Sequence, residues 1–314
     1  MRVVVLVMMF ACGKPTSPNA PVMPDLPPAT PVAAHDDPHP TDKPAIDVDK
    51  IVWPAFPELA AIPANAPTGA QIVVPKPAAP KIGDKLHRSM NAVFETHSTT
   101  KHQDSRYQKT KTTFEIDQEV SGVTGGSITQ LKITGTGQEQ VALANAPTDT
   151  LREDMPLISG AYTISANADG RIDVTGANGT REVEELQGIY TGELAAKYTP
   201  VDFVREKKLR AGEVITLDDR DRAALGGGDL KDPDFKLALV SADANRAVFQ
   251  IDGTSTAQGM WTTGQATIRV QFQLTFDRKT GRLLEQQSRA LNREKDADSF
   301  SDEYHQQLVT FTYR

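Results

Sequence analysis

The strongest pattern in the chain is an alternation near its C-terminal end. Ala266, Ile268, Val270, Phe272, Leu274 and Phe276 are apolar, and Gln265, Thr267, Arg269, Gln271, Gln273 and Thr275 lie between them. A strict period of two predicts a half-buried antiparallel strand, with the first set in the core and the second on the opposite, solvated face. Asp277 to Gly281 reads as a turn with Gly281 in the left-handed position. Arg282 to Leu291 returns as the partner strand, and Val309, Phe311 and Tyr313 repeat the pattern at the end. Further strands are expected over Leu86 to Thr96, Tyr107 to Val120 and Ser127 to Thr134. Two hairpins are expected as well, Tyr162 to Val174 and Phe235 to Ile251.

A helical period occurs once at length, from Thr180 to Lys197, where Val183, Leu186, Tyr190 and Leu194 share a face. Gly188 and Gly192 weaken it. A second, shorter helix is expected to start at Pro200 behind a Thr199 cap. The fold class that follows is mainly β (α+β). It is one large curved antiparallel sheet or half-open barrel of about ten strands, with one or two helices packed on it. About 230 residues suffice for one core.

This pattern begins only at Lys81. Seventeen of the 21 prolines fall between Pro15 and Pro80. Proline removes an amide donor and favours extended backbone, so residues 13–80 read as a disordered tether. As a flexible coil the tether spans about 45 Å, and fully extended about 200 Å. Within it, Ile51, Val52, Trp53, Phe56, Leu59 and Ile62 concentrate apolar area. They read either as a segment that docks on the chain's own domain or on another envelope protein, or as a partly collapsed linker without a specific contact.

The start of the chain adds a location. Arg2 precedes an unbroken apolar run, Val3 to Phe10, then Ala11 and Cys12, the only cysteine. The run is too short to cross a bilayer, which takes about 20 residues, and fits the apolar part of a signal peptide. This order resembles a bacterial lipoprotein signal. The resemblance implies cleavage before Cys12, lipid on its thiol, and a protein held to a membrane in the cell envelope, facing periplasm or cell surface. The division is then 1–12 signal with lipidated Cys12, 13–80 tether, and 81–314 folded domain.

Composition narrows the partners. The formal charge is -7, from 34 basic and 41 acidic residues without a long basic run, so no nucleic-acid footprint is read. Aromatics are 6% of the chain, too few for a stacking platform. One cysteine excludes an intrachain disulfide and a cysteine metal site.

Candidate chemistry is sparse. Ser98 and Lys101 spell Ser-x-x-Lys, Ser165 and Asn167 spell Ser-x-Asn, and Lys279 to Gly281 spell Lys-Thr-Gly. These resemble the motifs of serine penicillin-binding enzymes, in that family's order, which implies Ser98 as nucleophile and Lys101 as its proton acceptor. In that family the serine opens a helix, whereas Ser98 lies between strand-like stretches. His87, His97, His102 and Asp104 lack a spacing that fixes convergence on zinc. Asp229, Asp232 and Asp234, and Asp296, Asp298, Asp302 and Glu303, read as solvated acidic loops. No cofactor or metal is expected. The reading is a non-catalytic, tethered binding or scaffolding domain with the membrane, and an envelope protein or an apolar ligand, as partners. A lipid or acyl-chain carrier with a half-barrel cavity, which the meander of strands resembles, and the Ser98 enzyme are the alternatives.

Overall fold

The computed structural model describes residue 62 and residues 66–100, 106–144, 150–151, 153–167, 171–194, 198–225, 231–258, 265–295 and 299–314. The chain opens with a short strand, β1 (Thr68–Ile72), followed by four long ones: β2 (Lys85–Thr100), β3 (Arg106–Thr124), β4 (Ser127–Ala144) and β5 (Glu153–Ala166). A four-residue strand, β6 (Ile172–Thr175), leads into the helices α1 (Thr180–Leu194) and α2 (Pro200–Glu206). Two short strands, β7 (Leu209–Ala211) and β8 (Val214–Thr216), and a third helix, α3 (Asp219–Ala224), come next. The chain then returns through β9 (Lys231–Ala242), β10 (Arg246–Gln258), β11 (Gln265–Asp277), β12 (Leu283–Lys295) and β13 (Ser299–Tyr313).

Eleven of these strands form one curved, open antiparallel sheet in the order β6-β5-β4-β3-β2-β13-β12-β11-β10-β9-β8. It consists of two meanders. One runs outward from β2 to β6, the helices carry the chain across, and the second runs back from β8 to β13. The two are joined where β13 pairs with β2, from Leu86 opposite Tyr313 to Thr100 opposite Ser299. The edges are the short strands β6 and β8, which limits the row of unpaired backbone groups a neighbour could extend.

One face carries the core. In register across β10, β11 and β12, Ile251, Phe272 and Ser288 form one row and Phe249, Leu274 and Gln286 the next. Phe249 meets Phe276 edge-on, with ring centroids 5.9 Å apart. Helix α1 buries Leu186, Ile189 and Tyr190 and packs on β5 and β6. Helix α2 begins as its sequence predicts. Thr199 Oγ1 accepts the Asp202 N–H while Asp202 accepts the Thr199 N–H, with Pro200 in the first turn.

Two sequence expectations change. Gln271 is buried, not solvated, at 0% exposure. Its neighbours in register are Asp252 and Arg289, and its amide donates to Asp252 at 3.2 Å. A central strand of a wide sheet has long side chains beside it on both faces, so a polar face in mid-sheet need not be a wet one. The domain also starts before Lys81. Strand β1 pairs with β7, Val74 is 2% exposed within the core, and the Pro75 carbonyl lies against the β11–β12 turn. The domain thus takes in a strap, residues 66–80, that the proline count assigns to the tether.

Candidate functional site

The residues singled out by sequence are scattered. Cys12, Ile51, Trp53, Phe56 and Leu59 lie outside the described residues, as do Lys101, His102, Asp104, Asp229, Asp296 and Asp298. Ser98 sits within β2, opposite Ser301 and Arg106. Its row crosses β11 at Ala266. The turn that carries Lys279 to Gly281 follows Asp277, eleven residues, or about 36 Å, further along that strand. Ser165 lies on β5, between Gln130 and Asp173. The three motifs therefore do not meet. His87 and His97 share one face of β2 but are ten residues apart, or about 33 Å. His87 faces two carboxylates instead, Asp117 at 3.0 Å and Glu115 at 3.1 Å.

Asp302 and Glu303 correct the reading of an acidic loop. Both lie in β13 and both are buried, at 4% and 7% exposure. Being adjacent on a strand, they point to opposite faces and belong to different networks. On one face, Tyr107, His97, Asp302 and Arg293 form a row across β3, β2, β13 and β12. Arg293 Nε donates to Asp302 Oδ1 at 3.3 Å, and Oδ2 has no hydrogen-bond partner among the described residues. The His97 ring lies edge-on to Phe300, 5.3 Å away. In the next row, Lys109 pairs with Glu95 at 3.0 Å. On the other face, Asn292 Nδ2 donates to Glu294 at 3.2 Å and to Glu303 at 3.4 Å.

Burial pushes the Asp302 carboxyl up to about 6, with Arg293 opposing and Glu303 adding to the rise. Burial lowers His97 and, on the opposite face, His305. The row thus holds a carboxyl that takes up a proton close to neutral pH. The folded state binds that proton more tightly than the unfolded chain, whose ordinary value is 3.8. Stability from this group is therefore full below about 4 and is lost as pH rises through about 6. Asp302→Asn, which keeps an acceptor for Arg293, should gain up to about 3 kcal/mol at pH 8 and nothing near pH 4. Urea unfolding at both pH values checks this, and parallel stability curves for the two proteins would refute it.

Sequence reading missed this band because Asp and Glu near a charged stretch resemble a loop. No period of two runs through both acids: Phe300 falls on one face and Val309 and Phe311 on the other, so the pattern that marks the end of β13 does not reach them.

No protein-family model matches the chain, and no curated protein matches it. Solved structures give low-scoring likenesses. Lipovitellin, from a study of lipid–protein interactions, aligns at TM-score 0.36 and 10% identity over 74% of this chain. The chain spans about a quarter of lipovitellin's length, 26%. An outer membrane channel from Pseudomonas putida F1 aligns at TM-score 0.22 and 10% identity, over 74% of this chain and 97% of the channel. A LolA superfamily protein from Nitrosomonas europaea aligns at TM-score 0.13 and 7% identity, over 71% of this chain and 84% of that one.

Proposed function

We propose that this is a cell-envelope lipoprotein, anchored to a membrane through lipid on Cys12, whose β-rich domain binds or scaffolds a partner and does not catalyse. The observation that carries the proposal is the way the tether joins the domain. The Pro-rich tract does not end in a free linker. Its last residues enter the fold as β1, bury Val74 and rest on the β11–β12 turn. The chain thus joins the domain at one fixed place, beside the β11–β12 turn, and the tether read from the sequence carries the domain clear of the membrane to meet a partner. The apolar run ending at Cys12 supplies the anchor. Cys12→Ser should move the protein out of the membrane fraction or leave an uncleaved precursor. Fractionation of cells carrying the variant tests this, and membrane-bound protein of mature mass would count against it.

The acyl-chain carrier is the second reading. Helix α1 packs on β5 and β6. Further across the core face, one row holds Val141, Phe94 and Ala290, half-buried, with Thr110 and His305 between them, and the next has Ile268 and Leu143 at its ends with Asn292 and Glu303 within it. Leu143 is 70% exposed. An acyl chain would lie along the apolar members of the first row and reach Leu143 at the end of the second. Saturable binding of an apolar fluorescent probe, abolished by Leu143→Glu, supports this reading; probe binding indifferent to that change rejects it.

A further inference from the structure

We propose that the cavity beneath the strap is a binding site for a phosphate group, held by Arg205, Arg282 and Lys85. The cavity lies where four parts of the chain converge: the strap at Pro77, the start of β2 at Lys85, the C-terminal end of α2 at Arg205, and the end of β13 at Tyr313. It measures about 20 Å³, room for one oxygen of a ligand whose remainder stays in the mouth.

Arg205 gives the site its direction. Its side chain is 8% exposed, and one terminal nitrogen donates to the Gly281 carbonyl at 2.8 Å. Its Nε is fully shielded and has no hydrogen-bond partner among the described residues. The Nε is closed off from a ligand, so it is the guanidinium's charge at the cavity wall, held in place by the Gly281 bond, that a bound anion would offset. Arg282 stands over the Tyr313 ring at 4.5 Å, so its guanidinium is held at the same cavity. Lys85 adds a third cation, its nearest acid being Glu119 at 3.4 Å.

One carboxylate lines the cavity, Asp84, and it accepts the Lys81 N–H at 2.8 Å. Three cations and one acid line the cavity, and Glu119, paired with Lys85, brings the local balance to one positive charge, in a chain whose total is -7. That local charge suits an anion, and two guanidiniums at one cavity match the oxygens of a phosphate better than a lysine-only site would. The site does not depend on anchorage at Cys12. The phosphate could be free in solution or be the ester-bound end of a larger ligand such as a lipid headgroup.

Calorimetric titration of the full chain with inorganic phosphate and with glycerol phosphate, against chloride at equal ionic strength, tests the site. The expected result is saturable 1:1 binding of at least one of the two, weakened tenfold or more by Arg282→Gln and by Arg205→Lys, and unchanged by Arg171→Gln on an exposed turn. Tighter binding of glycerol phosphate identifies an ester-bound phosphate as the ligand; tighter binding of inorganic phosphate identifies the free ion. Arg205→Lys also disturbs the bond to Gly281, so Arg282→Gln decides, with its thermal unfolding confirming that the fold is intact. No binding beyond that of chloride, or binding that Arg282→Gln leaves unchanged, overturns the proposal.

Discussion

Phe272→Ala should destabilise the domain by about 3 to 5 kcal/mol. The ring is 1% exposed and sits at the centre of the sheet's core face, with Ile251 on one side in register and Ser288 on the other. Phe249, Leu274 and Phe276 surround it in the same cluster, so truncation leaves a void that a wide hydrogen-bonded sheet cannot close by collapsing. The neighbouring change is equally informative. The sequence pattern places Gln271 in water and predicts a cost within about half a kcal/mol for Gln271→Ala. The structure buries it against Asp252, and the same change then costs about 1 to 3 kcal/mol by stranding that carboxylate. Chemical unfolding of both variants separates the cases. In a carrier with a poorly packed wall, Phe272→Ala would cost less and would alter binding of an apolar probe. Small, equal effects without a change in probe binding would contradict the core described here.

Gly281→Ala should cost about 2.5 to 5 kcal/mol, and should do so by releasing the strap. Gly281 has φ of +68°, in the left-handed region, and an added Cβ would lie 1.8 Å from the Pro75 carbonyl oxygen. The backbone part of the cost is about 1 to 2 kcal/mol. The rest comes from moving the strap away, which exposes Val74 and loses its burial, worth about 1.5 to 3 kcal/mol. Gly83→Ala is the control. Gly83 has φ of +90° with nothing within 4 Å of its added Cβ, so only the backbone part applies. Unfolding free energies should differ between the two variants, and thermolysin should cut at Val73–Val74 faster in Gly281→Ala alone. Equal costs and equal cutting would mean that the strap is not held at the turn.

These contacts also mark how far the sequence could be read. Strand β11 and its turn are legible because alternation and Gly281 point the same way. Strand β4 is legible only in its first half. The expected strand ends at Thr134, before Gly135 and Gly137, yet the strand runs through them to Ala144, and the Phe114 ring occupies the place of a side chain at Gly137, where a Cβ would lie 2.3 Å away. Strands β1, β7 and β8 have three to five residues each, too few for a period to show. Helix α3 is itself mostly a run of charges without an apolar period, although Asp218, which caps it by accepting the Asp221 N–H, is the kind of residue that starts a helix. The cavity beneath the strap was not legible at all. Arg205, Arg282 and Lys85 are far apart in sequence; β13 brings the start of β2 beside β12, and the Arg205–Gly281 bond brings α2 to the same place. The proposed lipidation at Cys12 rests on a signal-like order of residues, a feature of sequence that requires no fold.

The account rests most heavily on that cysteine. Intact-mass measurement of the protein extracted from membranes of the native cell tests it directly. The predicted result is a chain that begins at Cys12 and carries added mass equal to a thioether-linked lipid, with or without an acyl group on the new amino terminus. A chain that retains residues 1–11, or one that begins at Cys12 with an unmodified thiol, would contradict the anchorage and the envelope function built on it.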